Sequence, residues 1–387
     1  ALGDRGRYLL GRALGKAMNR VSRRATATPA PDDAIAVIGA FHGRNVGDMA
    51  LGSAVRQALE GRPARLIDIH RLEEFQPFLA NRPAIVAGGA TGVRDNVTLL
   101  REYYGKAPER LAIVGWDVAA DVPEWAPDEH DFLRSVAFLG LRDEAQAELL
   151  RDVLSRPDVT GHPDNAFSLL HDPAFARHTS ADRRDDGPIG LNLLPLFMSR
   201  HGARWETGTA LEAFYRRIGS PLADAVHTLG PAYVRAVRAF AEAQDRPLVH
   251  LPFAPEDDLI ARSALRGLDV KFEPYDADPA RTFAAVAECA EFLSTRFHAT
   301  VFALIAGTPC HPVLYAAKCE ALLADCGLKG DEGAAVTRAD LIADDGAAAE
   351  RLIAGRPLRL ADTSERDRLA AESAAALSAA VRSVIDV

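Results

Sequence analysis

The sequence predicts an α/β protein built from two Rossmann-like, doubly wound domains that face one another across a cleft. Three observations carry this prediction. The chain's 387 residues exceed what one typical core holds and suit two domains of roughly 150 to 200 residues each. From Ala34 onward, short apolar runs alternate with helical stretches, the pattern of parallel strands joined by crossover helices. That alternation stops once, at the polar and aperiodic stretch HDPAFARHTSADRRDDG, and then begins again. The expected organisation is a basic N-terminal helix and linker at residues 1–33, a first domain at 34–175, a linker at 176–187, and a second domain at 188–387 that includes the terminal helices.

In the first domain the expected strands are AIAVIGA, ARLIDIH, PAIVAGGA, LAIVGWDV and VAFLGLRD, separated by helices such as MALGSAVRQALEG and EAQAELLRDVLS. In the second they are PIGLNLLP, RPLVHLPF, LDVKFEPY, AEFLSTRFH and TPCHPVLY, with AYVRAVRAFAEAQ as one intervening helix. A further helix, ATVFALIAG, is closed by Gly307 and stopped by Pro309. Helices after Gly346 are expected to pack across one or both domains. Ligands in such folds bind beyond the carboxyl ends of the strands, so the residues just past each strand are the functional candidates.

Composition narrows the function. With 48% apolar and 26% charged residues the chain is ordinary for a globular protein, which argues against disorder. The net charge of −9 is uneven. Residues 1–31 hold seven cations against Asp4, a net of +6, which leaves −15 on the remainder. An acidic body disfavours a nucleic-acid groove. The basic stretch RGRYLLGRALGKAMNRVSRR interleaves its cations with Tyr8, Leu9, Leu10, Leu14, Met18 and Val21, so residues 1–31 read either as a helix on an anionic membrane surface or as one packed on protein. The four cysteines lack metal-site spacing and read as reduced, buried thiols. No stretch approaches the roughly 20 apolar residues of a membrane span and no signal-peptide core is evident, so a cytoplasmic protein is expected.

Several candidates fall at strand ends. In AFHGRNVGDMALGSAV, Gly43 and Gly47 allow a tight turn, Asn45 can bond its own loop, and Asp48 stands where it can cap the next helix. In AGGATGVRDN, Gly88 and Gly89 end a buried strand and permit close approach of a ligand, with Arg94, Asp95 and Asn96 just beyond; Asp95 reads equally as an N-cap. In FLGLRDEAQAELL, Asp143 reads as a helix cap, while Arg142 at the strand end suits a carboxylate or phosphate. HLPFAPEDD and HPDNAF add His250, Asp257, Asp258 and Asp164. Arg296 and His298 in STRFHATVFALIAGTPC lie two apart where a strand gives way to a helix; the competing interpretation is a salt-bridged arginine and a helix-capping histidine.

Taken in order, these segments resemble the polysaccharide pyruvyltransferase family over residues 34 to about 330. The resemblance rests on GRNVGDMAL, the Gly-Gly strand end, LRDE, HPDNAF, IGLNLLP, HLPFAPEDD and, most specifically, TRFHATVFALIAGTPCHPVLYAAKCEALLADCGL. In that last segment Arg296, His298, Ala303, Leu304, Gly307, Pro309, Tyr315 and Lys318 match the family's signature. The chain departs from it in having GGATG where many members carry a third glycine, and in lacking the arginine that often precedes the proline of IGLNLLP; both put the acceptor side in question.

The resemblance implies a two-domain, GT-B-type enzyme that moves a pyruvyl group from phosphoenolpyruvate to a sugar of a cell-surface polysaccharide or its precursor, giving a cyclic ketal. Phosphoenolpyruvate is then a donor substrate, no cofactor is expected, and no residue is singled out as a metal ligand. A donor with a carboxylate and a phosphate needs fixed cations and helix N-termini. Arg296 and His298 are accordingly the expected catalytic pair, with Arg142 joining them in donor binding and His298 as either the acid or the hydrogen-bond donor to the phosphate. Asn45, Asp48, Gly88, Gly89, Asp95, His250 and Asp257 remain cleft or acceptor candidates. A lipid-linked sugar acceptor would favour residence at the inner face of the plasma membrane. Two other readings stay open: a glycosyltransferase using a nucleotide-sugar donor, and a noncatalytic member of the family.

Overall fold

Almost every apolar run becomes a strand, because side chains that are apolar on both faces are stable only where helices cover both sides of a sheet. In the computed structural model, the first sheet contains β1 (Ile35–Gly39), β2 (Ala64–Asp68), β3 (Ala84–Val86), β4 (Gly89–Gly92), β5 (Leu111–Val118), β6 (Phe138–Leu141) and β7 (Thr160–Gly161). Their order is β2-β1-β3-β5-β6-β7, with β4 also pairing β5, and every pairing is parallel. The second sheet contains β8 (Ile189–Leu191), β11 (Leu248–His250), β12 (Val270–Phe272), β13 (Glu291–Ser294), β14 (Cys310–Leu314) and β15 (Val336–Thr337). It is also wholly parallel, in the order β12-β11-β8-β13-β14-β15. Between β8 and β11 lies a separate antiparallel pair, β9 (Ser199–His201) and β10 (Arg204–Glu206). The structure describes residues 33–386 except 120, 180–185, 197, 202–203, 207–211, 214–215, 217–222, 329–332, 334, 344–345 and 361. The basic segment at 1–31 and part of the expected linker at 176–187 lie outside the described residues.

These are two Rossmann-like domains. Strand order in each sheet reverses direction once, between β1 and β3 in the first and between β8 and β13 in the second. At such a switch point adjacent crossovers leave on opposite faces and open a crevice beyond the strand ends. Side chains that follow these strands meet those of the other domain, as the site below shows. The two domains also share one apolar cluster, in which Phe175 lies 5.1 Å from Phe283 and Phe253 lies 5.4 Å from Phe302, ring centre to ring centre. The N–H of Val46 donates to the carbonyl of Phe253 across the same boundary at 2.8 Å.

Some features depart from expectation. Gly88 and Gly89 do not simply end a strand: β3 stops at Val86, and the pair, at φ +84° and +75°, turns the chain into β4. A Cβ on Gly88 would overlap the carbonyl oxygen of Gly115 on β5, so only glycine permits that approach. The strands β4, β7 and β15 are too short and too poor in apolar residues to register as runs. The final helix, Thr363–Ile385, packs across both domains, as expected of the helices after Gly346, and chiefly on the first. Its buried Leu369, Leu377, Ala380 and Val384 share a cluster with Val114 and Phe167. Its first turns still hold the second domain, where Arg366 and Arg368 donate to the carbonyls of Ile305 and Asp325 at 3.4 and 3.3 Å. The helix therefore straps the domains together. Among the described residues no helix is long and apolar enough to cross a membrane, and all four cysteines are buried free thiols.

Candidate active site

Helix starts from both domains build one charged cluster. α1 (Val46–Ala58) follows β1, and its N-cap is Asn45, whose Oδ1 accepts from the Gly47 N–H at 2.9 Å. Asp48 was expected to be able to cap this helix; with Asn45 in that role, Asp48 is released to the cleft. Arg142 follows β6, and Asp143 caps the next helix by accepting from Gln146 N–H at 2.7 Å, as its position suggested. Asp164 caps the 3-10 segment Asn165–His171. From the second domain, His298 occupies the first turn of the helix Phe297–Ala306, and Lys318 that of the helix Ala317–Asp325.

The geometry is specific. Arg142 is almost completely buried, bonds Asp117, and sits 3.6 Å from Asp164. Its guanidinium also stacks 4.4 Å above the centre of the Phe297 ring. Lys318 Nζ lies 3.9 Å from Asp117 and 5.8 Å from the same ring. Burial and the neighbouring Arg142 push the Lys318 ammonium below the usual lysine value, with Asp117 opposing them. His298 Nε2 is 3.5 Å from Asp164 Oδ1, too long for a full hydrogen bond. Burial raises the Asp164 carboxyl, but His298, Arg142 and the Ala166 N–H outweigh it and hold the group at about 2. Arg142, Asp164, Phe297 and Lys318 line one narrow crevice between the domains.

Arg296 takes the salt-bridged form. It is the N-cap residue of its helix, and its Nε and one Nη reach both oxygens of Asp257 at 2.7 to 2.9 Å, while that Nη also reaches Glu256 at 2.8 Å. Asp257 is fully buried and accepts in addition from the N–H groups of Phe253 and Ala254. Asn192, just past β8, fixes the same helix start by accepting from Arg296 N–H at 3.0 Å and donating to the Leu251 carbonyl. Asp257 is therefore an anchor for the helix that carries His298 and does not line an acceptor surface.

Other candidates separate from the cluster. His250 is fully buried on β11 with its ring 5.7 Å from Phe272, and burial lowers it to about 4, so it is a neutral interior side chain. Asp95 is exposed in the first turn of its helix, whose N-cap is Val93. Asp258 pairs with Arg262 at 2.7 Å along one helix face. Conversely, the sequence marks Lys318 only as part of a signature and does not distinguish Asp117, Phe297 or Asn192. The position of Asp117 at the end of a long apolar strand was the available signal.

The sequence pattern of the family described as polysaccharide pyruvyl transferase matches residues 45–316, well over half of the chain. The chain belongs to this family. As a polysaccharide pyruvyl transferase it is a transferase, with polysaccharide on the acceptor side. No curated protein matches the sequence. Similar solved structures include a protein from Listeria monocytogenes assigned as a UDP-N-acetylglucosamine 2-epimerase, at 14% identity and TM-score 0.44, covering 90% of this chain and 94% of that one. Another is α,α-trehalose 6-phosphate synthase from Burkholderia multivorans, at 12% identity and TM-score 0.38, covering 85% and 70%. A third is the UDP-forming α,α-trehalose-phosphate synthase from Burkholderia vietnamiensis, at 12% identity and TM-score 0.33, covering 85% and 74%. Likeness at this level carries no argument about function.

The matched region of this pyruvyl transferase contains every residue of the charged cluster except Lys318, which lies two positions beyond it. One contact within it makes a direct prediction. A Cβ on Gly47 would overlap the His298 ring at Nδ1 and Cγ. Gly47→Ala should therefore displace His298 and lower stability by about 1 to 3 kcal/mol through overpacking. Thermal melting together with turnover checks this; unchanged values in both would mean that the ring has room to move.

Proposed function

We propose that the protein transfers the pyruvyl unit of phosphoenolpyruvate to two hydroxyls of one sugar in a cell-surface polysaccharide or its precursor, forming a cyclic ketal and releasing phosphate. The observation that carries this reading is the convergence of Arg142 and Lys318 from the two domains on one crevice, with His298 3.5 Å from Asp164 of the same crevice, in the first turn of a helix. Arg142 is a buried cation and Lys318 a partly buried one, and the pair suits the carboxylate and phosphate of a small dianionic donor better than a neutral sugar. First-turn N–H groups of the helix Phe297–Ala306 have no intrahelical acceptors and add a positive end.

His298 is the proton donor in this reading. Protonation of the donor's methylene carbon makes the adjacent carbon electrophilic; one sugar hydroxyl adds there, and a second displaces phosphate. Asp164, held ionised and facing Nε2, orients the ring. Arg296 was expected to bind the donor directly. With its fork committed to Asp257 and Glu256, it instead positions the helix that bears His298.

Incubation with phosphoenolpyruvate and a panel of polysaccharide precursors, followed by phosphate release and product mass, tests the reaction. A product mass increased by one pyruvate ketal supports it, whereas donor turnover only with a nucleotide sugar refutes it. Lys318→Ala removes one charge-assisted anion contact, and the expected loss in apparent phosphoenolpyruvate affinity corresponds to about 1.5 to 3 kcal/mol. A Michaelis constant for the donor equal to wild type would remove Lys318 from the donor site.

A further inference from the structure

The reading above leaves open which group accepts the hydroxyl proton. We propose that Asp48 is that general base: it takes the proton of the first acceptor hydroxyl as the oxygen adds to the pyruvyl carbon, and then gives it to the departing phosphate. This inference rests on the pyruvyl-transfer reading and adds a catalytic residue to it.

Elimination among the carboxylates of the cluster comes first. Asp117 is taken by Arg142 and by Gln146 Nε2 at 3.0 Å. Asp164 is buried, bonded by Ala166 N–H at 2.9 Å and held ionised at about 2, which makes it a poor base. Asp257 is enclosed by Arg296 and two backbone N–H groups. Asp48 differs from all three. Asn45 relieves it of capping, it is partly exposed, and among the described residues it has no hydrogen-bond or ion-pair partner.

Its surroundings fit the task. Asp48 follows β1 at the switch point of the first sheet, one residue after the glycine that abuts the His298 ring. Across from it is Gly89, whose lack of a Cβ spares Asp48 Oδ1 a contact at 3.5 Å. The charged groups acting on its carboxyl are His298, Arg296, Lys318 and Arg142. Burial nevertheless raises the carboxyl above the ordinary aspartate value against their combined pull, which strengthens it as a base.

The proton balance closes over one turnover. In the first half, protonated His298 delivers its proton to the methylene carbon while Asp48 receives the proton of the first hydroxyl. A tetrahedral adduct results, in which the former carbon–carbon double bond is a methyl group and the new carbon–oxygen bond joins the sugar. In the second half, protonated Asp48 gives its proton to the phosphate oxygen as that carbon–oxygen bond breaks. Neutral His298 takes the proton of the second hydroxyl as the ketal closes. Both residues return to their starting forms, and the two hydroxyl protons end on the methyl group and on phosphate.

Asp48→Asn tests this, assayed beside wild type with phosphoenolpyruvate and an acceptor. The expected results are a turnover number lower by about 100-fold to 10,000-fold, donor affinity by calorimetry equal to or tighter than wild type, and loss of the acid limb of the pH–rate profile. The acid limb is the decisive sign: a base must be ionised, so wild-type rate falls as pH drops through the Asp48 value, and the amide abolishes that fall. Asp48→Ser serves with the same expectations should the asparagine variant not fold. Turnover within about threefold of wild type, or donor binding weakened in step with turnover, would overturn the inference, the latter making Asp48 a charge that positions the cations. A wild-type protein inert toward phosphoenolpyruvate with every acceptor would remove the reaction reading, and this inference with it.

Discussion

Replacing His298 with alanine is expected to lower turnover by about 100-fold to 10,000-fold, the usual cost of losing a positioned proton donor, with little change in melting temperature. The ring makes no full hydrogen bond through Nε2, so its removal strands no donor. Asp164 keeps Arg142 and the Ala166 N–H as partners. Donor affinity should fall less than turnover, because Arg142 and Lys318 remain to hold the anion. The pair of measurements is donor calorimetry and phosphate release on protein whose circular dichroism matches wild type. Rates near wild type in that protein would remove His298 from the chemistry.

Arg296→Ala is expected to act on the fold first. The substitution leaves Asp257, which has no exposure, with two backbone N–H groups and the Asn192 amide at 3.4 Å as partners and no cation. Breaking a buried pair from one side costs about 3 to 5 kcal/mol, a large share of the roughly 5 to 15 kcal/mol by which a domain is stable. The helix start that carries His298 would loosen as well, so turnover falls even where the protein stays folded. Pairing Arg296→Ala with Asp257→Asn should recover part of the stability, since the buried charge is then gone; a double-mutant cycle measures the coupling. A single variant that melts at the wild-type temperature would show that the fork is not an anchor. The sequence favoured a different outcome, in which Arg296 contacts the donor and its loss leaves the fold untouched. An arginine before a helix looks the same in sequence whether it faces a ligand or a buried aspartate some 40 positions upstream.

The sequence by itself determined the two sheets, because continuous apolar runs such as those of β1 and β5 have no stable place except the middle of a covered parallel sheet. It also determined that function would gather at strand ends, and it supplied the Arg142 and His298 positions through chain punctuation: an apolar run ending in a charged residue before a helix. Tertiary structure decided the rest. Which aspartates are ligands, anchors or bases depends on partners far away in the chain: Asn45 takes the cap and frees Asp48, Arg296 consumes Asp257, and Arg142 consumes Asp117. That the last helix packs across domains was expected, but its apolar face fits any covered surface, and only the packing of Leu377 and Val384 with Val114 and Phe167 decided that most of it lies on the first domain. Local sequence fixes where a side chain leaves the backbone. Its charge state and role follow from the long-range neighbours that compete for it, and those exist only once both domains have closed on each other.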